Sequence, residues 1–352
     1  MELIRNGGRA KRALTITAAA AAVALVLGGC AAAGGDGGGD AGGSEGASIT
    51  FIPKNLNNPY TNVELRGGEE ASEELGLTYN SVGSLEAAAD SQIPFIQTEV
   101  QNGTQIVALA ANDPNAPCAA LKEAKDGGAA IITFDSDTDV SCRDLFITQV
   151  EEKEVALGQL RQLFDQIGGE GDIAILSAAA TASNQNAWIA AMEQEIADNP
   201  DYEWNLVATV YGDDDDNKSF QEAQGLLQSY PNLKGIISPT TVGIAATARY
   251  LSTSEYKGKV ALVGLGLPPQ MKEYIKDGTV TAFALWDPSD IGYLTAYAGK
   301  ALLDGTITGA EGDTFDAGKL GSYTVGKDGR VVVGSLLEFN ADNIDDYDYI
   351  TF

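Results

Sequence analysis

The chain has 352 residues, 50 acidic against 22 basic side chains, a formal charge of −28 and no histidine. An acidic excess of this size lacks the basic footprint that phosphate backbones require, which argues against nucleic acid as a partner. The lack of histidine removes Ser-His-Asp and Cys-His catalysis and the common histidine-containing zinc sites, and no metal or other cofactor is expected.

At the N-terminus a basic run (Arg5, Arg9, Lys11, Arg12) precedes an apolar, alanine-rich stretch from Ala13 to Leu27. This is the layout of a secretory signal, too short to span a bilayer comfortably. It closes with Leu27-Gly28-Gly29-Cys30, which resembles the lipobox of bacterial lipoproteins, where the cysteine is lipidated after cleavage. An ordinary signal peptide with a chance cysteine is the alternative. Residues 31–47 are little but Gly, Ala, Asp and Ser, a composition that cannot bury enough apolar area to offset its ordering entropy, and they read as a flexible tether. The expected order is a signal peptide over 1–29, then lipidated Cys30 and a linker over 30–47. Residues 1–29 hold four basic residues and one acidic residue, so the mature chain keeps 18 against 49, a charge of −31. Its 323 residues are too many for one small core and suggest two lobes.

From Ser48 onward short runs of Ile, Val, Phe and Leu alternate with longer helical patterns, the signature of parallel sheets with crossover helices. Strands are predicted over Ile49–Ile52, Gln105–Leu109, Ala130–Phe134, Asp172–Leu176, Leu206–Val210, Gly235–Ile237, Val260–Val263 and Thr281–Leu285. Helices are predicted over Val63–Leu75, Ala88–Gln101, Cys118–Lys125, Glu152–Ile167, Gln185–Ala197, Asn217–Ser229, Val242–Leu251, Pro269–Lys276 and Pro288–Leu303. A hairpin is expected around Lys327-Asp328-Gly329. The fold class is α/β: two doubly wound parallel-sheet lobes joined by a hinge. Residues 48–149 plus about 285–316 form the first lobe, and 150–284 plus about 317–352 the second.

Ligands of open α/β sheets bind outside the carboxyl ends of the strands, and polar residues cluster there. Ile52 leads into Lys54 and Asn55, Phe134 into Asp135 and Asp137, and Leu176 towards Asn184 and Gln185. Ile237 leads into Pro239 and Thr240, and Leu285 into Trp286 and Asp287. The recurrence over five strands points to a binding cleft between lobes. Tyr60, Trp188 and Trp286 are candidates for stacking on a ligand ring, Trp188 being equally at home in the core.

Other motifs carry less. Asp135-Ser-Asp137-Thr-Asp139 begins like a calcium loop, but Val140 and Phe146 stand where glycine and glutamate are needed. Asp213 to Asp216 precedes a helix and reads as a solvated cap. Gly264-Leu-Gly266 lacks the rest of a dinucleotide fingerprint. Asp135 and Asp287 could serve as the acid and base of a glycoside hydrolase, or accept hydrogen bonds from sugar hydroxyls. Cys118 and Cys142 are an even pair in a secreted domain and point to a disulfide, with two free buried thiols as the alternative.

Taken together, Phe51-Ile-Pro-Lys54, Phe134-Asp135-Ser-Asp137-Thr, Asn184-Gln-Asn-Ala-Trp188, Pro239 with its flanks, Leu285-Trp-Asp287 and Asn343-Ile-Asp345 resemble the type I periplasmic binding proteins. The resemblance covers residues 48 to 352 and lies in the branch of rhamnose-binding proteins and autoinducer-2 receptors. It implies ligand contacts for Lys54, Asp135, Gln185 and Pro239, which match the autoinducer-2 receptor pattern. Asn184 stands in place of an aspartate and Thr241 in place of an alanine. Pro239-Thr-Thr-Val-Gly-Ile-Ala-Ala, Lys276-Asp-Gly-Thr-Val and Gly309-Ala-Glu-Gly-Asp-Thr-Phe315 resemble the rhamnose branch instead. The implied protein is not an enzyme but a monomeric extracellular lipoprotein serving an ABC permease, touching the membrane through its lipid anchor only. Its ligand would be rhamnose or a related deoxy-sugar, with autoinducer-2 as the alternative and a cleft hydrolase behind both. The expected site is Lys54, Tyr60, Asp135, Asn184, Gln185, Pro239, Thr241, Trp286 and Asp287.

Overall fold

The apolar runs become buried parallel strands, and the longer amphipathic stretches become the helices that cover them. The computed structural model describes residues 46–347. The signal sequence, Cys30 and nearly all of the tether lie outside the described residues. In chain order the elements are β1 (Ser48–Ile52), α1 (Pro59–Glu74), β2 (Thr78–Ser81), α2 (Ile93–Asn102), β3 (Ile106–Leu109), α3 (Cys118–Asp126), β4 (Ala130–Phe134) and β5 (Leu145–Thr148). Then follow α4 (Glu152–Ile167), β6 (Glu170–Ser177), α5 (Ser183–Asp198), β7 (Glu203–Tyr211), α6 (Asp216–Ser229), β8 (Leu233–Ser238), α7 (Thr241–Thr253), β9 (Ala261–Gly264), α8 (Pro268–Lys276) and β10 (Ala282–Leu285). The chain ends with α9 (Pro288–Leu303), β11 (Thr314–Asp316), β12 (Ser322–Thr324), β13 (Arg330–Val332) and β14 (Leu337–Asn340).

Two doubly wound sheets result. The first has the strand order β2-β1-β3-β4-β5-β13 and is parallel throughout. The second has the order β7-β6-β8-β9, also parallel, and a single parallel bridge from Leu265 to Ala284 carries it on to β10, against which β14 runs antiparallel. The side chains of β1, β3, β4, β5, β8 and β9 are almost all buried because helices cover both faces, as parallel sheets require, whereas the edge strands β2 and β7 stay largely half-buried or exposed. Three connections pass from one sheet to the other: β5 to α4, β10 to α9, and β13 to β14.

Helix α9 follows a strand of the second sheet yet packs on α1 and on β3, β4 and β5 of the first. Glycines make the α1–α9 approach possible. A Cβ on Gly67 would lie 1.8 Å from the Ser289 carbonyl oxygen, and one on Gly292 would lie 1.8 Å from that of Glu64. A disulfide joins Cys118, at the start of α3, to Cys142, with Cα atoms 5.2 Å apart. No helix among the described residues is long and apolar enough to cross a membrane.

The C-terminal segment departs from expectation. Residues from about 317 were assigned to the second half, but Arg330–Val332 pairs with Phe146–Thr148 at the edge of the first sheet, and only β14 joins the second. The hairpin lies earlier, between β11 and β12, because Gly321, at positive φ, closes the turn by accepting from the Ala317 amide. Lys327–Gly329 forms a single 3₁₀ turn before β13.

Candidate ligand-binding cleft

Parallel strands leave their carboxyl ends on one edge of a sheet, and here the two sheets present those edges to a common cavity. Its empty space, open mouth included, is about 460 Å³. From the first sheet come Lys54 after β1, Ala110 after β3 and Asp135 after β4. From the second come Gln185 with Asn184 beyond β6, Asp214 beyond β7, Pro239 with Thr240 and Thr241 after β8, and Trp286 after β10. Helix α1 adds Tyr60, Thr61 and Glu64 from one face.

A charged pair organises this space. Asp135 sits at φ 59°, a left-handed conformation that aspartate tolerates better than most residues. Lys54 Nζ lies 2.9 Å from Asp135 Oδ2, with both side chains largely withdrawn from solvent. The same ammonium donates to Asn184 Oδ1 at 3.2 Å, and Asn184 Nδ2 donates to the Asp135 carbonyl at 3.2 Å, so the pair bridges the two halves. Tyr60 donates its hydroxyl proton to Asp135 Oδ1 at 3.0 Å, and Gln149 donates its amide to both the carbonyl and the carboxylate of Asp135. Burial alone would lower the Lys54 pKa, but the acids Asp135, Asp214 and Glu64 hold it above the ordinary lysine range. Burial and the neighbouring Asp135 push the Tyr60 phenol well up, which keeps it a proton donor.

Gln185 is fixed by its carbonyl end, which accepts from Ser177 Oγ at 2.6 Å and from the Ala178 amide at 2.7 Å. With that oxygen committed, its amide nitrogen is the group left to meet a ligand. Three aromatic rings form the apolar wall. Trp286 packs against Trp188 at 5.8 Å and edge-on to Tyr60 at 6.4 Å, while its Nε1 donates to the Tyr60 hydroxyl at 2.8 Å.

Of the nine residues expected at the site, eight line this cavity. Asp287 does not: its carboxylate caps α9 by accepting from the Ser289 amide at 2.9 Å and from Ser289 Oγ at 2.7 Å. The Asp135 and Asp287 pair is therefore not assembled in the cavity. Asp214 and Glu64 were missed. In the run 213–216 it is Asp215 that caps α6, accepting from the Lys218 amide at 2.7 Å, whereas Asp214 turns inward, takes a hydrogen bond from Thr240 and is raised in pKa by burial. A cap uses one carboxylate, so a run of four directly after a strand was the signal. For Glu64 the signal was its place one helical turn after Tyr60.

The geometry has counterparts among known proteins. Residues 49–307 match the periplasmic binding protein domain. Over 86% of this chain and 98% of the other, the chain is 60% identical to a sugar ABC transporter from Actinomyces odontolyticus, with a TM-score of 0.70. It is 36% identical to an ABC transporter solute-binding protein from Clostridium phytofermentas with bound L-rhamnose, covering 87% and 99%, TM-score 0.84. LsrB from Clostridium saccharobutylicum in complex with AI-2 is similar in fold, at 24% identity, 86% and 100% coverage and TM-score 0.80. These relatives bind solutes and are not enzymes. The chain belongs to the periplasmic binding protein family, among the solute-binding proteins of sugar ABC transporters.

Proposed function

We propose that this chain captures L-rhamnose or a related deoxy-sugar outside the cell and delivers it to an ABC permease. The observation that carries the reading is the Lys54–Asp135 pair with Asn184 and Gln185 beside it. It offers charge-assisted partners for adjacent hydroxyls opposite an aromatic wall for an apolar ring face. The rhamnose-bound relative at 36% identity supports the choice of sugar.

The cavity walls come from both halves, and binding closes the two lobes about the three connections, so that the permease engages the closed form. In this reading a signal over 1–29 directs export, lipidated Cys30 anchors the protein to the outer face of the cell membrane, and residues 31–47 tether a monomeric domain stapled by the Cys118–Cys142 bond.

Autoinducer-2 is the second reading, favoured by Lys54, Asp135, Gln185 and Pro239, all of which line the cavity. Isothermal titration of the purified domain with L-rhamnose, L-fucose, D-ribose, D-arabinose and autoinducer-2 tests both. Tightest binding of L-rhamnose is expected. Tightest binding of autoinducer-2 would reverse the order, and no binding of any of the five would end the sugar reading.

A further inference from the structure

Glu64 is the one ionisable side chain of the cavity that the Lys54–Asp135 network leaves incomplete. It is 2% exposed, it lines the cavity, and its Oε1 is buried without a hydrogen-bond partner. An unpartnered buried carboxyl oxygen is costly, and it persists where a ligand completes it. Helix α1 is packed closely on α9 at this point, where a Cβ on Gly292 would lie 1.8 Å from the Glu64 carbonyl oxygen.

We propose that Glu64 contacts the bound sugar directly and gives its carboxylic acid proton as a hydrogen bond to a ligand oxygen. This deepens the reading of the cavity as a sugar site and rests on it. The surrounding groups fit a protonated acid. Burial, then the nearby Asp135, push the Glu64 pKa well above the usual range, while Lys54 and the Tyr60 hydroxyl oppose them without prevailing. The ammonium of Lys54 is already engaged by Asp135 and Asn184, and Asp214 adds a further acid to the cavity. A protonated carboxyl has both a donor and an acceptor, so Glu64 selects a ligand that carries an acceptor oxygen at this end, such as a hydroxyl or ring oxygen.

Glutamine reproduces that donor and acceptor, and alanine removes both. With L-rhamnose as the probe, calorimetry should find Glu64→Gln within about threefold of wild type and Glu64→Ala weaker by on the order of tenfold or more. Equal loss in both variants would mean an ionised carboxylate and overturn the proposal, as would wild-type affinity in Glu64→Ala. A second measurement needs no sugar. The infrared difference spectrum of ligand-free wild type minus Glu64→Gln at neutral pH should contain the carbonyl band of a protonated carboxylic acid, and carboxylate bands in its place would overturn the proposal. If wild type binds no sugar while the acid band is present, the sugar reading fails and the buried acid stands. If wild type binds sugar and the acid band is missing, the reverse holds.

Discussion

Lys54 and Asn184 meet across the cleft: the ammonium at the end of a first-sheet strand donates to the amide oxygen at the start of a second-sheet helix, 3.2 Å away. The contact is possible because Asp135 holds the ammonium in place from its own side of the cleft. Asp135→Ala therefore removes a ligand partner and also releases Lys54 from its aim at Asn184. Removing one member of a buried, hydrogen-bonded charge pair costs about 2–5 kcal/mol, which corresponds to a sugar affinity at least 30-fold weaker, within roughly a factor of two. Calorimetry at neutral pH checks this, and an unchanged dissociation constant would remove Asp135 from the site.

The cavity has one ammonium, which Asp135 already pairs, beside a second aspartate, Asp214, and the uncharged acid Glu64. A ligand with its own negative charge would enter a space where acids outnumber bases and where burial magnifies repulsion. Sugar acids such as D-galacturonate should show no detectable binding where the neutral sugar binds. Comparable affinity for the two in a thermal-shift titration would contradict the charge assignment.

Asp290, on the first turn of α9, has its pKa raised to about 6 by burial and by the neighbouring Asp287. The folded state therefore keeps this proton up to about pH 6, whereas the unfolded chain releases it near 3.8. Between those values the native state binds more protons, so this group's contribution is fully present below the window and is lost as pH rises through it. Thermal unfolding of wild type and Asp290→Asn between pH 4 and pH 7 should show the variant gaining relative to wild type as pH rises. A constant difference would mean that the side chain titrates normally.

Gly67 allows α9 to touch the backbone of α1, and there is no flexible side chain there to move aside. Gly67→Val should destabilise the domain by about 1–3 kcal/mol through overpacking. It should also weaken sugar binding, since α1 carries Tyr60 and Glu64 and α9 directly follows Trp286. Chemical denaturation measures the first effect and calorimetry the second; loss of stability with full affinity would show that the helix contact does not position the cavity.

Breaking the Cys118–Cys142 bond, which spans 24 residues of sequence, by replacing both with serine should cost about 3 kcal/mol on the chain-entropy account. Sugar affinity should stay the same, because neither cysteine lines the cavity. A change in affinity larger than threefold would tie α3 to the binding site in a way its position does not suggest.

Most of the parallel strands were legible where burial on both faces writes an apolar run, as in Ala130–Phe134, which matches β4 end to end, but β5, fully buried as Leu-Phe-Ile-Thr, was missed because its apolar run is only three residues long. Strand β2 was missed as well, because Thr78–Ser81 lies at the sheet edge with polar residues, and β11 to β13 are only three residues each, too short for any period to register. Among the residues that line the cavity, those placed directly after apolar runs were reached by position alone. Asp287 was misplaced because a strand-end aspartate can equally cap the following helix, and the sequence does not distinguish the two. Glu64 was missed because the cavity borrows a face of α1, and which face of a helix looks inward depends on α9, more than 200 residues later.

The last crossing, from β13 to β14, sets the order in which the molecule can be finished. Each sheet receives its outermost strand from within the final 23 residues, and the first half also waits for α9 to cover it. No continuous half of the chain is therefore a complete unit. A chain threaded through a membrane from its N-terminus would arrive with both sheets still lacking an edge, and would settle into its native form only after its C-terminus had followed.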